Sequence, residues 1–317
     1  MLRLKDIGEF GLIERIAKGI KLDSSVIKGI GDDCAVVKFS KDKYLLFTAD
    51  MLIEDVHFRR TAAPYCIGHK ALACSISDIA AMGGEPKYAL VSLGLPKNLP
   101  VSFVDGIYKG IKALAGKFGI NIVGGDTNRS DKIIIDVAIA GLVEKDNLVK
   151  RDGAKAGDII IVSGSLGGSR RGRHLNFTPR LKEACFLVNN FKINAMIDIS
   201  DGLVSDLGHI LKQSKVGAVV YEQFIPQSPQ AKSIDEALFM GEDFELLFTA
   251  GLKDARKILA QRKLRFTPLE TIAQQSNDGM SLTGFTAVGE ITQDKGIKFI
   301  TKDCKQRAVS QEGFRHF

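Results

Sequence analysis

The amino-acid sequence predicts an α+β fold with two mixed α/β domains, and three observations support this prediction. Strand-like and helix-like stretches alternate along all 317 residues, with neighbouring strands arranged as in hairpins. A chain of this length favours two domains over one. A polar stretch, Lys145–Asp158, interrupts the apolar patterns near the middle. We therefore predict a first domain at residues 1–147 and a second at residues 148–317.

The first half contains a regular succession of predicted elements. Residues 1–19 mix acidic and apolar residues and predict an amphipathic helix, whereas KYLLFTA (43–49) predicts a strand that runs into Asp50. A helical pattern begins at Pro64 and continues to Met82, where Gly83-Gly84 ends it. A strand at YALVSLGLP, a helix at 102–116, and strands at NIV and at 133–143 follow.

The second half begins again with a buried-strand pattern, GDIIIVSG (157–164). A helix is predicted after Pro179, and AMIDIS (195–200) predicts a strand that ends in acidic residues. The stretch GLVSDLGHILKQS predicts the next helix, and GEDFELLFTA leads into another strand. The glycine-rich SGSLGG (163–168) is typical of a loop.

Composition excludes several classes of protein. The chain is 45% hydrophobic and 26% charged, and no apolar run reaches the roughly 20 residues of a membrane helix. Five cysteines without a CxxC pair predict reduced thiols and a cytoplasmic location. The net charge is +7, but the basic residues are dispersed, so we predict no nucleic-acid partner and favour a small anionic substrate. The densest basic patch lacks interleaved aromatic residues and consists of Arg170, Arg171, Arg173 and His174.

Six short acidic clusters, each beside glycine, serine or threonine, are the most informative feature of this basic chain. They are GIGDD (29–33), TAD (48–50), SISD (75–78), GGDT (124–127), DISDG (198–202) and GEDFE (241–245). Taken singly, each is explained as a turn or a helix cap, and Asp32 and Asp201 could both be caps. Taken together, several converging carboxylates require a cation to hold them.

Hard carboxylate oxygens select magnesium or calcium, and magnesium completes its coordination with water and substrate phosphates. Glycine beside the acids allows backbone N–H groups to approach a phosphate. The clusters therefore predict phosphoryl transfer by positioning and charge neutralisation. The common nucleotide-binding motifs GxxxxGK[ST], HRD and GxGxxG are absent.

The motifs GIGDDCAVV, TADMLIEDVHF, SDIAAMGGEP, GGDT, DISDGLVSDLGHI and GEDFELLFT occur in this order. Together they resemble the thiamine-monophosphate kinase family, part of the ATP-binding superfamily that includes aminoimidazole ribonucleotide synthetase. The resemblance extends from Gly8 to the terminal GFRHF. It implies two domains of the aminoimidazole ribonucleotide synthetase type with the ATP site between them, the first domain binding metal and ATP and forming the dimer.

The resemblance implies ATP-dependent phosphorylation of thiamine monophosphate to the diphosphate by a cytoplasmic, magnesium-dependent homodimer. By matching motifs, the metal ligands are expected at Asp33, Thr48, Asp50, Asp78, Asp126, Asp198 and Asp201. ATP contacts are expected at Tyr108, Gly125, Arg151 and Ser200, and acceptor contacts at His57, Glu242 and Gln311.

Three departures from the family pattern accompany this resemblance. Ala49 stands where the family commonly has a hydroxyl, and Gln311 stands where it often has a tryptophan against the substrate ring. The segment between Gly168 and His174 is shorter than in the family. A related ATP-dependent enzyme with another phosphoacceptor and a non-catalytic nucleotide-binding paralogue are the alternatives.

Overall fold

Two seven-stranded sheets form the framework of the protein. A computed structural model describes residues 2–261 and 284–307. The first sheet has the order β1-β2-β3-β7-β4-β5, with β6 also paired to β4. Its strands are β1 (Val26–Lys28), β2 (Ala35–Lys38), β3 (Lys43–Ile53), β4 (Glu85–Leu95), β5 (Asn121–Gly124), β6 (Thr127–Arg129) and β7 (Ile134–Glu144). Strands β5 and β6 run parallel to β4, and the other pairs are antiparallel.

The second sheet has the order β14-β13-β10-β12-β8-β11-β9. Its strands are β8 (Ile159–Ser163), β9 (Ile193–Asp198), β10 (Gly217–Tyr221), β11 (Leu246–Ala250), β12 (Phe285–Thr292), β13 (Gly296–Ile300) and β14 (Gln306–Arg307). The β10–β13 pair is parallel, and its other pairs are antiparallel.

Seven α-helices accompany the sheets in the described residues. They are α1 (Leu4–Ala17), α2 (Pro64–Ala81), α3 (Val101–Phe118), α4 (Leu181–Asn190), α5 (Leu203–Ser214), α6 (Ile234–Phe239) and α7 (Leu252–Ala260). Among residues 2–261 and 284–307, no helix is both long and apolar enough to cross a membrane.

Helix α2 lies at the centre of the molecule. It contacts β3 and β7 of the first sheet and β9 of the second. A single hydrophobic core accordingly includes Ile76 and Ile79 of α2 together with Ile161, Met196 and Phe248 of the second sheet. This position explains why most α2 residues are buried, and it places polar side chains of α2 within reach of both halves of the chain.

The predicted order of elements is confirmed wherever the structure describes it, and the differences lie at their ends. Strand β3 continues to Ile53, past Asp50, because its pairing with β7 extends to Ile134. Helix α2 ends at Ala81, and Gly83 follows with a left-handed φ of 72°. Helix α1 forms, but none of its residues is buried. The SGSLGG stretch leaves β8 after Ser163 and continues as a loop.

Helices α2 and α3 cross at unusually short range because each has a glycine at the contact. A Cβ on Gly68 would lie 1.9 Å from the carbonyl oxygen of Ile107, and one on Gly110 would lie 2.0 Å from that of Tyr65. Both distances are impossible for a real methyl group, so any side chain at these positions forces the helices apart.

Replacing Gly68 with alanine is therefore expected to destabilise the protein by about 2 kcal/mol or more, since overpacking a close contact shifts the backbone. Gly116→Ala in α3 is the matched control, because a Cβ there has nothing within 4 Å. That control should stabilise by about 0.5–1 kcal/mol through helix propensity. Urea unfolding of both variants measures the difference, and equal stabilities would contradict the close crossing.

Candidate active site

Three aspartates from distant parts of the chain meet beside α2. Asp33 is the last residue of the GIGDD turn, Asp78 lies in the last turn of α2, and Asp198 ends β9. One carboxylate oxygen from each lies within 4.8 Å of the others. Sequence spacing alone placed these residues in separate motifs, and the structure brings them together across both halves.

Hydroxyl groups orient the carboxylates of this cluster and of the neighbouring Asp50. Thr48 Oγ1 donates to Asp78, and Ser77 Oγ donates to Asp198 Oδ2 at 2.6 Å. Ser75 Oγ lies 2.8 Å from Asp50 Oδ2, to which it donates. Strand β3 presents Thr48 and Asp50 on the same face because they are two residues apart.

The electrostatic cost of this arrangement is visible in the pKa values. Burial raises the pKa of Asp198 to about 8 and that of Asp50 to about 6. Burial also raises the pKa of Asp33. Desolvation, with the charges of Asp50 and Asp198, raises the pKa of Asp78 well above its ordinary value. The carboxylates therefore lack sufficient positive charge nearby.

Arg151 supplies part of that charge from the second half of the chain. Its guanidinium donates to Asp33 Oδ1 at 2.7 Å, and its backbone N–H approaches both carboxylate oxygens of Asp32 at 3.3 and 3.4 Å. Lys28 Nζ lies 3.3 Å from Asp32 Oδ2. The second oxygen of Asp33, Oδ2, is buried without a hydrogen-bond partner. An unpartnered buried carboxylate oxygen beside two other carboxylates fits a hard divalent cation.

Asp201 belongs to a second, separate acidic group with Asp206 and His209. One ligating atom from each lies within 4.8 Å of the others. The N-cap residue of α5 is Gly202, not Asp201. Instead, Asp206 Oδ2 accepts from the backbone N–H groups of Asp201 and Gly202 at 3.1 and 3.0 Å. The sequence pattern missed Asp206 because it lies inside the helix, away from the usual capping position.

Three residues with expected roles lie apart from the cluster. Asp126 is exposed, and its carboxylate accepts from Asn128 Nδ2 at 2.6 Å. Gly125 approaches the backbone of β4 so closely that a Cβ would meet the Val91 carbonyl oxygen at 1.8 Å. Val91 and Asp50 both pair with Val137. Asp50 and Gly125 are therefore about 14 Å apart, three strand spacings across the sheet. Tyr108 lies on α3, partly buried.

His57 and Glu242, both expected at the acceptor, are joined by a residue that the sequence patterns did not single out. Lys70 of α2 donates to the carbonyl oxygen of His57 at 2.8 Å and to Glu242 Oε1 at 2.6 Å. Ser200 lies beside them, since its carbonyl oxygen accepts from the Glu242 N–H at 2.6 Å. The lysine was not found from sequence because its partner is 172 positions away.

The GEDFE segment is held by basic residues from the preceding part of the second half. Arg173 pairs with Asp243, Arg180 forms two hydrogen bonds of 2.6 Å with Glu245, and Arg170 lies 3.7 Å from Glu242. Arg171 pairs with Glu236 of α6. The three arginines of the basic patch thus contact acidic side chains of the same chain.

The three departures from the family pattern have different structural settings. Ala49 is exposed on the face of β3 opposite to Thr48 and Asp50, so its side chain points away from the carboxylate cluster. The short segment after Gly168 forms two 3-10 turns, Ser169–Arg171 and Arg173–Leu175. Gln311 lies outside the described residues.

Comparison with protein families matches both halves of the chain. Residues 31–143 match the model of the AIR synthase related protein, N-terminal domain, and residues 155–263 match its C-terminal domain. The expectation of two domains of this type is confirmed.

Individual relatives and a solved structure cover the whole chain. Thiamine-monophosphate kinase of Aquifex aeolicus is 40% identical over 345 residues, covering 100% of both chains. That of Bacillus subtilis is 32% identical over 339 residues, covering 98% of this chain and 99% of its own. The structure of AaThiL complexed with AMPPCP and TMP superposes with a TM-score of 0.82 at 34% identity, covering 100% and 99% of the two chains.

Because burial raises the pKa of Asp198 to about 8, we expect Asp198→Asn to stabilise the metal-free protein at high pH. Protonated Asp198 stabilises the fold below its unfolded pKa of about 3.9, and this contribution is lost as the pH rises towards 8. In EDTA, the variant should melt several degrees above the wild type at pH 8.5 and near it at pH 5. Ser77→Ala, which removes the hydroxyl donor to the carboxylate, should melt below the wild type at pH 8.5. A lower melting temperature for Asp198→Asn at both pH values would contradict the raised pKa.

Proposed function

The chain belongs to the thiamine-monophosphate kinase family, and from this premise we propose that it transfers the γ-phosphoryl group of ATP to thiamine monophosphate. The products are thiamine diphosphate and ADP. The observation that carries the proposal is the full-length match to kinases of this name, including a structure in complex with AMPPCP and TMP. ATP is accordingly the co-substrate, with AMPPCP its non-hydrolysable analogue.

We propose Mg²⁺ as the metal, held by Asp33, Asp78 and Asp198 with Asp50 and Thr48 beside them. When bound, it would neutralise charge on the phosphate oxygens. Arg151 adds a fixed positive charge at the same place through its contact with Asp33. Asp201, with Asp206 and His209 around it, is proposed as a further ligand at the edge of the site.

The protein need not supply a strong base for this reaction. The terminal phosphate of thiamine monophosphate is already ionised near neutral pH, so an in-line attack on the γ-phosphorus requires positioning and charge neutralisation. The side chains therefore act mainly by orientation. Ser200 and Arg151 are proposed ATP contacts at the boundary between the two sheets.

We propose that His57 and Glu242 contact the acceptor. Thiamine has a positively charged thiazolium ring, for which a buried carboxylate such as Glu242 is a suitable partner. The side chain of His57 is oriented by the backbone, because its Nδ1 accepts from the Ile53 N–H at 3.0 Å. Gln311 remains a proposed contact of the ring.

We propose that the protein is a homodimer whose two copies meet at the outer face of the first sheet. Phe47 and Met51 of β3 and Tyr88 and Leu90 of β4 are each about half exposed on this face. Strand β7 lies between them, with Ala140 opposite Phe47 and Tyr88, Ala138 opposite Leu90, and Asp136 opposite Met51. A contiguous apolar surface of this kind is typical of a protein interface. A second copy packed here would cover it.

The proposed dimer also explains how Asp126, Gly125 and Tyr108 could belong to an active site. Asp126 and Gly125 lie across the sheet from the carboxylate cluster of their own chain, and Tyr108 lies on α3, so we propose that they complete the site of the partner copy. Each active site would then combine Asp33, Asp78 and Asp198 of one chain with Asp126 of the other.

We infer a cytoplasmic location, where ATP is available. The five cysteines, all within the described residues, are unpaired, as in a reducing compartment. The division at residues 147 and 148 remains our proposal for the domain boundary.

With ATP and Mg²⁺, the wild-type protein is expected to convert thiamine monophosphate to thiamine diphosphate. Asp50→Asn should reduce turnover by about 100-fold or more, because it removes charge beside the phosphates. Asp105→Asn, an exposed position on α3, is the control and should match the wild type. Chromatography of thiamine phosphates and of ADP measures both variants. Absence of ADP and thiamine diphosphate with the wild type would overturn the proposed function.

Shared sites are tested by co-expressing Asp50→Asn and Asp126→Asn chains that are each inactive alone. A random mixture should regain about a quarter of the wild-type activity, because half of its dimers are mixed and each mixed dimer keeps one intact site. Sedimentation confirms the dimer. If the co-expressed chains sediment as a dimer but regain no activity, Asp126 acts within its own chain or has no role in the reaction.

A further inference from the structure

Lys70 is a fully buried lysine at the acceptor end of the site. Its exposed fraction is 0%, and it is among the largest fully buried side chains in the described residues. Its ammonium group donates to the carbonyl oxygen of His57 at 2.8 Å and to Glu242 Oε1 at 2.6 Å. The lysine thus connects a loop of the first half of the chain to the GEDFE segment of the second.

Packing does not explain a lysine at this position. Burying an ammonium group and a carboxylate removes both from water, and well-packed apolar residues of the same volume often serve stability equally well. Ile67 and Cys74, one turn away on the same face of α2, are buried apolar residues, so the surroundings accept apolar side chains. The charge of Lys70 is therefore explained by the groups that it holds.

Lys70 contacts two groups whose positions are also set by backbone hydrogen bonds. The His57 N–H donates to the Ile53 carbonyl oxygen, and its Nδ1 accepts from the Ile53 N–H, each at 3.0 Å. The neutral ring therefore has its proton on Nε2. Glu242 has a left-handed φ of 67°, and its carbonyl oxygen accepts from Ser169 Oγ at 2.6 Å. Lys70 links the backbone carbonyl of His57 to the side chain of Glu242.

We propose that Lys70 is a positioning residue for the acceptor, which it serves by fixing the Glu242 carboxylate and the His57 loop relative to the metal cluster. This inference rests on the proposed function. Lys70 occupies Oε1 of Glu242, whereas Oε2 lies 3.7 Å from Arg170 Nε, beyond hydrogen-bonding distance. One oxygen of the carboxylate is thereby directed away from the lysine. A cationic ring is a suitable partner for that oxygen.

Helix α2 fixes the distance between Lys70 and the carboxylate cluster. Lys70 and Asp78 lie eight residues apart, on the same face of the helix, and so are separated by about 12 Å along its axis. Because Lys70 and Asp78 both belong to the buried helix α2, the hydrogen bond from Lys70 fixes Glu242 relative to the carboxylate cluster. The distance between the phosphoryl-transfer end and the ring-binding end is thus set within one element.

The test compares Lys70→Met, which keeps the volume without the charge, with Lys70→Gln, which can still donate one hydrogen bond. We expect Lys70→Met to raise the KM for thiamine monophosphate about tenfold or more, with the KM for ATP within about twofold of wild type. Lys70→Gln should give an intermediate value. Arg171→Met is the matched control, since it removes a cation from the adjacent segment that pairs with Glu236.

A double variant distinguishes positioning from a general structural role. If Lys70 acts through Glu242, Lys70→Met adds little to the KM increase already caused by Glu242→Gln. The inference would be overturned if the two substitutions multiplied each other's effect on the KM for thiamine monophosphate. It would also be overturned if Lys70→Met changed the KM for ATP as much as that for thiamine monophosphate. Circular dichroism checks that each variant is folded. If Lys70→Met does not fold, the same comparison with Glu242→Gln is made with Lys70→Gln instead. A wild type without turnover would instead overturn the proposed function, and this inference with it.

Discussion

Repulsion among buried carboxylates is the constraint on which the rest of the structure depends. Asp33, Asp78 and Asp198 come from a turn, a helix end and a strand end, in both halves of the chain. Two such charges about 4 Å apart repel by about 4 kcal/mol at an effective dielectric near 20. Apolar packing around α2 imposes this proximity, and the hydroxyls and Arg151 offset only part of its cost, as the raised pKa values of Asp50 and Asp198 show. This uncompensated charge supports the proposal that a cation occupies the cluster.

Helix α2 contains two residues that lower its own stability but position the functional side chains. Asp78 lies in its last turn, where the helix dipole disfavours a negative charge. Gly68 lies where α3 crosses at minimum distance, although glycine weakens a helix interior. Both features are unfavourable for an isolated helix. They are retained because a closely packed α2 determines where Asp78 and Lys70 point, and those two side chains lie at opposite ends of the proposed site.

The sequence was sufficient for the order of the described strands and helices, because apolar periodicity and glycine or proline boundaries are local signals. It also identified the acidic clusters, whose members Asp33, Asp78 and Asp198 converge. It was insufficient for Lys70, Asp206 and the arginines that hold GEDFE, since each acts through a partner that periodicity does not reveal. Lys70 was indistinguishable from any polar residue of an amphipathic helix. The position of Asp126, across the sheet from Asp50, likewise depends on strand order, which local patterns do not determine.

The contacts of the GEDFE segment indicate that the proposed acceptor end is formed before substrate arrives. Glu242 and Phe244 both have left-handed φ values, which cost of order 1–3 kcal/mol each in residues other than glycine. Such strain persists only where surrounding contacts fix it. Here Arg173 and Arg180 hold the two acids that flank Phe244, and Phe244 stacks on Phe177 with ring centroids 4.2 Å apart. Because these contacts involve only the chain itself, the Glu242 carboxylate is already oriented in the free protein. Binding a cationic ring would then require little further ordering, which favours selection of the acceptor by fit to a preformed site.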